Sequence, residues 1–413
     1  MRRLLAVEMA AGRAVLASLA AIEASLDGTG PALLPHAPGS APPADPGAVD
    51  ATSLPDGLAV VVGTSGSTGA PKLALLSAAA LQASARATHR RLGGAGRWVL
   101  ALPTHHVAGM QVLVRSVVAG TTPVAVDSSG GFTAAAFAQA TAALSGRERT
   151  YTAVVPTQLA RLLADPAGTE ALRRYDAVLV GAAATPAALL REASRHGVRV
   201  TTTYGMSETA GGCVYDGVPL DCSAHRLDDA GRIELGGDTL ADGYLGRPDL
   251  TAAAFRRALP DATASGGSAR SGGEAWFRTD DVGSLDERGA LVVEGRVDDM
   301  ISTGGLKVAP RLVEDAVTEH VGGVVLAVVV GLEDPEWGQR VGLAVTLSPG
   351  VPTPALADVR SQLSGILPAH ALPTVLAVLP RLPLRGPGKP DRAAVAATLC
   401  VVSGADGTMG DHL

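Results

Sequence analysis

The richest concentration of anion-binding chemistry in this chain is Thr64-Ser65-Gly66-Ser67-Thr68-Gly69-Ala70-Pro71-Lys72. Gly63, Gly66 and Gly69 let a turning backbone bring its N–H groups close to an anion, while the hydroxyls and the Lys72 ammonium add further donors. A polyphosphate is well matched to that set. The lysine follows Gly69 by three residues with no Ser or Thr after it, so neither the Walker spacing nor G-x-G-x-x-G is present. The plain alternative is a Gly/Ser linker, which is disfavoured because strand-like apolar runs, 58–62 and 73–76, flank the loop.

Other stretches also hold reactive side chains in close order. His105 and His106 end the strand-like run 98–103, where a lone histidine would ordinarily be a helix cap or a hydrogen-bonding core group. Tyr204-Gly205-Met206-Ser207-Glu208-Thr209 joins an aromatic face that can stack on a purine, hydroxyls at Ser207 or Thr209 that can donate to phosphate, and a hard oxygen ligand at Glu208. A single acid in a loop would otherwise be merely solvated. Trp276-Phe277-Arg278-Thr279-Asp280-Asp281-Val282-Gly283 and Leu291-Val292-Val293-Glu294-Gly295-Arg296-Val297-Asp298-Asp299 bring acids and arginines to strand ends. Gly388-Lys389-Pro390 places a lysine near the C-terminus, by itself an ordinary surface charge.

Taken in order, the loop from Thr64, the hexapeptide from Tyr204, the runs from Trp276 and Leu291, and Leu382-Pro383-Leu384-Arg385-Gly386-Pro387-Gly388-Lys389-Pro390-Asp391-Arg392 resemble the signatures of the adenylate-forming superfamily. That superfamily includes acyl-CoA and aryl-CoA ligases, luciferases and the adenylation domains of peptide synthetases. The resemblance implies ATP, Mg²⁺ and CoA: a substrate carboxylate is activated as an acyl-adenylate and then passed to a thiol. It gives ATP or AMP contacts to Thr64, Ser65, Gly66, Ser67, Thr68, Gly69 and Lys72, and to Tyr204, Gly205, Met206, Ser207 and Thr209. Gly181, Ala182 and Ala183 match the small-residue turn that lies against adenine in relatives, although such a turn equally suits a tight strand-to-helix connection. Asp281 is the implied ribose carboxylate, Arg296 assists at ribose or phosphate, and Glu208 is the implied Mg²⁺ ligand. Asp280 receives no substrate role, because neighbours in an extended segment face opposite ways. Lys389 is the implied adenylation lysine, Asp298 the implied hinge, and Gly304, Gly305 and Lys307 the implied CoA channel. His105 and His106 mark the implied acyl pocket, with His106, three residues before Gly109, favoured as the catalytic-side histidine.

Ala210-Gly211-Gly212-Cys213-Val214-Tyr215-Asp216-Gly217-Val218-Pro219-Leu220 resembles the segment after this hexapeptide in 2-succinylbenzoate CoA ligases of menaquinone biosynthesis, especially compact actinobacterial ones. In that branch Gly211 and Gly212 would leave room for an aryl ring and its succinyl arm. Only 63 residues precede Thr64, so the resemblance also implies a shortened N-terminal portion. Another aryl or acyl acid, or a carrier protein in place of CoA, stays open, although no Asp-Ser attachment motif in a downstream helical unit is found. Cys213 reads as a packing residue, since no activating base lies nearby in sequence.

These side chains need a frame. Leu4, Val7, Val15, Leu16, Leu19, Ile22 and Leu26 predict an amphipathic N-terminal helix, and 35–57 an irregular connection. Strand-then-helix alternation from residue 98 to 209 predicts an α/β fold: a large N-terminal domain of mostly parallel sheets with flanking helices, binding ligands at the strands' carboxyl ends. The domain expectation is 1–297 for this adenylating part and 298–413 for a small mobile α+β lid, with 261–273 as a mobile surface loop. With 47% apolar residues, a net charge of −6 and three cysteines in no C-x-x-C pair, the sequence favours a cytoplasmic enzyme of small molecules. Nucleic-acid binding, a membrane span and a zinc site are all disfavoured, and a homodimer is left open.

Overall fold

The computed structural model describes residues 3–64, 72–146, 148–257, 275–385 and 389–406. The first sheet runs β1 (Leu4–Glu8), β2 (Ala32–His36), β3 (Leu58–Gly63) and β4 (Leu73–Ser77), parallel up to β3 and antiparallel between β3 and β4. The N-terminal helix is thus shorter than its periodicity suggests, since only α1 (Leu19–Leu26) forms as α-helix. Leu4 pairs in register with Ala32 and Glu8 with His36, so the ladder of a sheet edge overrides a weak helical pattern in Leu-Leu-Ala-Val-Glu. Between His36 and Leu58 only two 3₁₀ turns interrupt irregular chain, as Pro- and Gly-rich composition predicts.

The second sheet holds β5 (Arg97–Leu100), β6 (Val124–Ala125), β7 (Thr150–Val154), β8 (Ala177–Val180), β9 (Val200–Met206), β10 (Gly211–Tyr215) and β11 (Val218–Pro219). Their spatial order is β11-β10-β9-β8-β7-β5-β6, parallel from β6 through β9 and antiparallel thereafter. Helices α2 (Ala78–Arg91), α3 (Val107–Ala119), α4 (Ala134–Ala142), α5 (Pro156–Leu163), α6 (Pro166–Arg173) and α7 (Ala187–Arg195) supply the connections. Their starts follow capping chemistry: Ser77, Thr133 and Asp165 side chains accept from the backbone N–H of Ala80, Ala136 and Gly168. One apolar core joins the first two sheets, with Val60, Leu76, Trp98, Met110, Leu113 and Tyr151 all buried. The third sheet, β12 (Ser223–Leu227), β13 (Arg232–Gly237), β14 (Phe255–Arg257), β15 (Ala275–Leu285) and β16 (Leu291–Arg296), is antiparallel at β12–β13 and β14–β15, with α8 (Pro248–Ala254) beside β14. The parallel expectation therefore applies to β1–β3 and β5–β9, whose connections are helices or long segments, while β9–β11 and β12–β13, joined by short turns, reverse direction.

In the last sheet, β17 (Ile301–Thr303), β18 (Leu306–Val308), β19 (Val324–Asp334) and β20 (Gly338–Leu347) run β18-β17-β20-β19, with β21 (Val375–Val378) parallel to β20. Alternation of side chains explains its two covers. Val329, Val341, Leu343 and Val345 face Val313 and Val317 of α9 (Pro310–His320) and Val359 and Leu363 of α10 (Leu356–Leu363). Val328, Val330 and Ala344 face Val395 and Leu399 of α11 (Arg392–Asp406). Each buried Val or Leu here contributes on the order of 1.5–3 kcal/mol. A two-stranded hairpin, β22 (Leu384–Arg385) and β23 (Lys389–Pro390), precedes α11.

By compactness the chain divides into two units, one comprising Met1–Ala182, His196–Thr279 and Leu285–Leu291, the other Ala183–Arg195, Asp280–Ser284 and Val292–Leu413. Among the described residues no helix is long and apolar enough to cross a membrane. Cys213 is buried, which pushes its thiol up to about 12, Cys222 is half-buried and Cys400 is exposed.

Candidate active site

In the first unit, the anion-binding stretch is the connection of the antiparallel β3–β4 pair. Thr64 N–H donates to the Lys72 carbonyl at 2.7 Å, closing the loop at its base. Ser65, Gly66, Ser67, Thr68 and Gly69 lie outside the described residues, as does the 261–273 insert.

Beside that base stands the Ser207–Thr209 turn. Strand β9 continues through Met206, so Tyr204, Gly205 and Met206 are strand residues and not part of a loop as their hexapeptide suggested. A Cβ on Gly205 would collide with the Gly211 carbonyl oxygen of the neighbouring strand, so glycine is required there. Ser207–Thr209 then forms a 3₁₀ turn that ends at Ala210 in the left-handed region, φ 50°. Two helices brace this strained residue: Gln111 Nε2 of α3 and Ser84 Oγ of α2 donate to the Ala210 carbonyl at 2.7 and 3.3 Å. Thr209 is fully buried, its hydroxyl accepting from Met206 N–H at 3.0 Å and donating to the Gly211 carbonyl at 2.8 Å. Of the two hydroxyls offered to phosphate, Thr209 is therefore a brace of the turn. Ser207 reaches the Gly63 carbonyl at 3.4 Å, at the foot of the connection between β3 and β4.

Glu208 is only 7% exposed, far from a solvated loop acid. The Tyr244 hydroxyl donates to its Oε1 at 2.8 Å, and the same ring lies 5.4 Å from Lys72 Nζ, within cation–π range. Sequence reasoning passed Tyr244 by. Nothing in the spacing of Gly243-Tyr244 announces a neighbour 36 residues away.

His105 and His106 lead into α3, His106 being the residue before its first turn, with its carbonyl accepting from Met110 N–H at 2.9 Å. Their rings are 4.3 Å apart, and His105 has its pKa lowered by burial and, secondarily, by His36. Gly109 must be glycine, because a Cβ would enter the Pro103 carbonyl. Gly211, at φ +95°, faces Gln111 and Val107 on the first turns of that helix, which brings the glycine segment and the histidine helix together. Gly212 offers less room than expected: a Cβ there would stand 3.2 Å from both Thr203 and Tyr215 carbons. Gly181 is likewise held tight against Thr203 on the adjacent strand, so packing accounts for the glycine there, while Ala182 takes φ 67°. Ala183 is half-buried.

The second unit holds the other candidates. Arg296 stands 3.5 Å from Asp280 Oδ2 and 3.7 Å from Asp281 Oδ1, but Asp281 is the sheltered partner, with its side chain 13% exposed against 44%. Asp298 and Asp299 lie in a 3₁₀ turn after β16. Gly304 and Gly305 join β17 to β18, both with positive φ, and a Cβ on Gly304 would meet the Trp337 ring at 2.7 Å. Gly305 has open space around it, so glycine there answers to its backbone φ of +78° and not to a neighbour. Lys307 is exposed. Lys389 pairs with Arg385 in the β22–β23 hairpin. Three residues on, Arg392 is tied to Glu314 Oε1 at 2.8 Å, to Asp299 Oδ2 at 3.3 Å and to the Val329 carbonyl.

Residues 9–238 match the family described as AMP-binding enzyme, and residues 312–389 match AMP-binding enzyme C-terminal domain. The chain is 44% identical to a probable 2-succinylbenzoate–CoA ligase of Mycobacterium tuberculosis over 396 residues, covering 94% of this chain and 97% of that relative. The o-succinylbenzoate CoA synthetase of Bacillus subtilis, solved with the acyl-adenylate OSB-AMP, is 27% identical with a TM-score of 0.66, over 82% of this chain and 69% of that one. The same enzyme with ATP and magnesium ion gives 26% identity and a TM-score of 0.63, over 82% and 70%. The loop and the buried Glu208 turn fall inside the first matched region and Lys389 is the last residue of the second, and the chain belongs to the AMP-binding enzyme family.

Proposed function

We propose that the chain is an AMP-forming acid–thiol ligase that activates a carboxyl group of 2-succinylbenzoate with ATP as an acyl-adenylate and transfers the acyl group to CoA. The observation that carries this reading is the likeness to a probable 2-succinylbenzoate–CoA ligase through 94% of this chain and 97% of that relative.

Glu208 fits a Mg²⁺ site. It is a buried carboxylate that accepts from the Tyr244 hydroxyl, and Mg²⁺ characteristically takes one or two carboxylates while substrate phosphates and water complete its shell. Among the described residues there is no group of three or more His, Cys, Asp or Glu side chains that would serve a metal with an all-protein cage. Bound with ATP, Mg²⁺ would supply Lewis-acid charge at the phosphates.

The loop from Thr64 to Lys72 holds the departing pyrophosphate. Asp281 accepts from the ribose hydroxyls, Arg296 orients that carboxylate, and Tyr204 stacks on the purine. A carboxylate oxygen of the acid bonds to the α-phosphorus as the bridge to pyrophosphate breaks, and Lys389 neutralises the charge building on both groups. The lid, 298–413, then turns about Asp298, withdrawing Lys389 and presenting Gly305 to the incoming pantetheine. The CoA sulfur bonds to the acyl carbon, its proton passes to solvent, and AMP leaves with the electron pair of the broken C–O bond. His106 and Gly211 bound the acyl side. The reading places the enzyme in the cytoplasm, where ATP and CoA are supplied; sedimentation would decide a homodimer.

The test is turnover with ATP, CoA and a panel of acids that includes 2-succinylbenzoate, benzoate and succinate. AMP and thioester should form with 2-succinylbenzoate at a kcat/KM at least about tenfold above the truncated acids, since each missing group forfeits pocket contacts. ADP as the product, or equal rates with benzoate, would overturn the assignment.

A further inference from the structure

Tyr244 is placed by backbone pairing with β4. Asp242 N–H donates to the Leu75 carbonyl at 2.9 Å, Leu75 N–H to the Gly243 carbonyl at 2.9 Å, and Leu245 N–H to the Leu73 carbonyl at 2.8 Å. Tyr244 thereby stands opposite Ala74, two residues after Lys72, which makes Lys72 its diagonal neighbour on the same face. A further bond, Ala241 N–H to the Glu208 carbonyl at 2.8 Å, ties the same segment to the acid's own backbone. The residue is 4% exposed and its ring packs edge-on against Phe255 with centroids 5.7 Å apart. One side chain thus meets both charged groups of the phosphate end: its hydroxyl the Glu208 carboxylate at 2.8 Å, its face the Lys72 ammonium at 5.4 Å.

We infer that Tyr244 is a positioning residue for the metal–triphosphate site, setting the orientation of the Glu208 carboxylate through its hydroxyl and the reach of Lys72 through its ring. A phenol donating to a carboxylate makes a charge-assisted bond that fixes the acid's rotamer, and outer-shell partners of this kind commonly govern metal affinity. The aromatic face meanwhile holds the ammonium at the mouth of the loop, where a lysine stem would otherwise sample several rotamers. The two contacts are separable by substitution. The inference rests on the reading of Glu208 as the acid that binds Mg²⁺.

The experiment uses the full chain and follows ATP binding by calorimetry over a Mg²⁺ titration, with Mn²⁺ resonance spectra of the ATP complex as a readout independent of turnover. Tyr244→Phe keeps the ring over Lys72 and removes the donor, so the Mg²⁺ concentration for half-saturation should rise about tenfold or more while ATP affinity at saturating metal changes little. Tyr244→Leu should add a loss of ATP affinity that saturating Mg²⁺ does not restore. In the Glu208→Gln background, Tyr244→Phe should add nothing to the metal shift, because its partner is already altered. A Tyr244→Phe chain with unchanged half-saturation, beside a Glu208→Gln chain that is shifted, overturns the inference alone. If Glu208→Gln leaves the metal dependence unmoved, the reading of Glu208 falls and the inference with it. Should Tyr244→Leu fail to fold, the Tyr244→Phe and double-variant comparisons still decide the hydroxyl's role.

Discussion

His89 on α2 is 6% exposed, and its Nε2 accepts the Trp98 indole N–H at 3.4 Å. Burial, reinforced by the nearby Arg115 charge, lowers its pKa to about 4. The unfolded chain would therefore hold more protons than the folded one between about pH 4 and 6.5. His89 contributes its full stability above 6.5 and loses it as the pH falls toward 4, a change of up to roughly 3 kcal/mol. Urea midpoints measured from pH 7 down to 4 should fall more steeply for the native chain than for His89→Gln, the difference being confined to that window. At this scale the sequence marks candidates where chemistry dictates residue type, the glycine-hydroxyl-lysine loop, Glu208 and Lys389, and the burial of Glu208 is what the structure adds. Tyr244 was illegible because its contacts arise from a strand register between distant segments, and glycines 205, 212 and 304 because their need is set by a neighbour's backbone or ring.

Elements were legible in proportion to how long and two-sided their apolar patterns are. The buried runs of β3, β8, β19 and β20 could be read directly, whereas β1 could not, since its five residues become a strand only when Ala32 to His36 pair beside them. In the second unit the same dependence on distant partners links Lys389's hairpin to its surroundings through Arg392. Its guanidinium meets Glu314, Asp299 and the Val329 carbonyl, while Val329 N–H donates to the same Glu314 oxygen at 2.9 Å. Removing the cation leaves the half-buried Glu314 and Asp299 carboxylates without this countercharge, so Arg392→Ala should destabilise this sheet by roughly 2–4 kcal/mol, and Arg392→Lys by less. Hydrogen exchange at the β19 amides, Val329 foremost, would register the loss, and unchanged protection there would refute it.

For the whole molecule the proposed two-step reaction makes opposite demands on two residues of the second unit. Lys389→Ala should depress adenylation, measured by ATP–pyrophosphate exchange, by about 10²-fold or more while sparing thioester formation from supplied acyl-adenylate. Gly305→Leu should do the reverse, because a Cβ there meets nothing within 4 Å and the added side chain would obstruct the incoming thiol. Its φ of +78° still adds on the order of 1 kcal/mol of backbone strain. Equal losses in both half-reactions for either variant would count against a lid that alternates between positions. The family was legible from the order of the motifs along the chain, but the contact-defined units, which take in Ala183–Arg195 and Asp280–Ser284 with the C-terminal part, were not.

The distribution of thiols has a practical corollary. Cys213 is buried with a thiol that resists ionisation, Cys222 is partly covered, and Cys400 projects to the outside from the C-terminal helix. A maleimide dye added briefly at neutral pH would therefore mark the C-terminal helix ahead of the other two cysteines, giving the unaltered protein an optical handle on the part that carries Lys389.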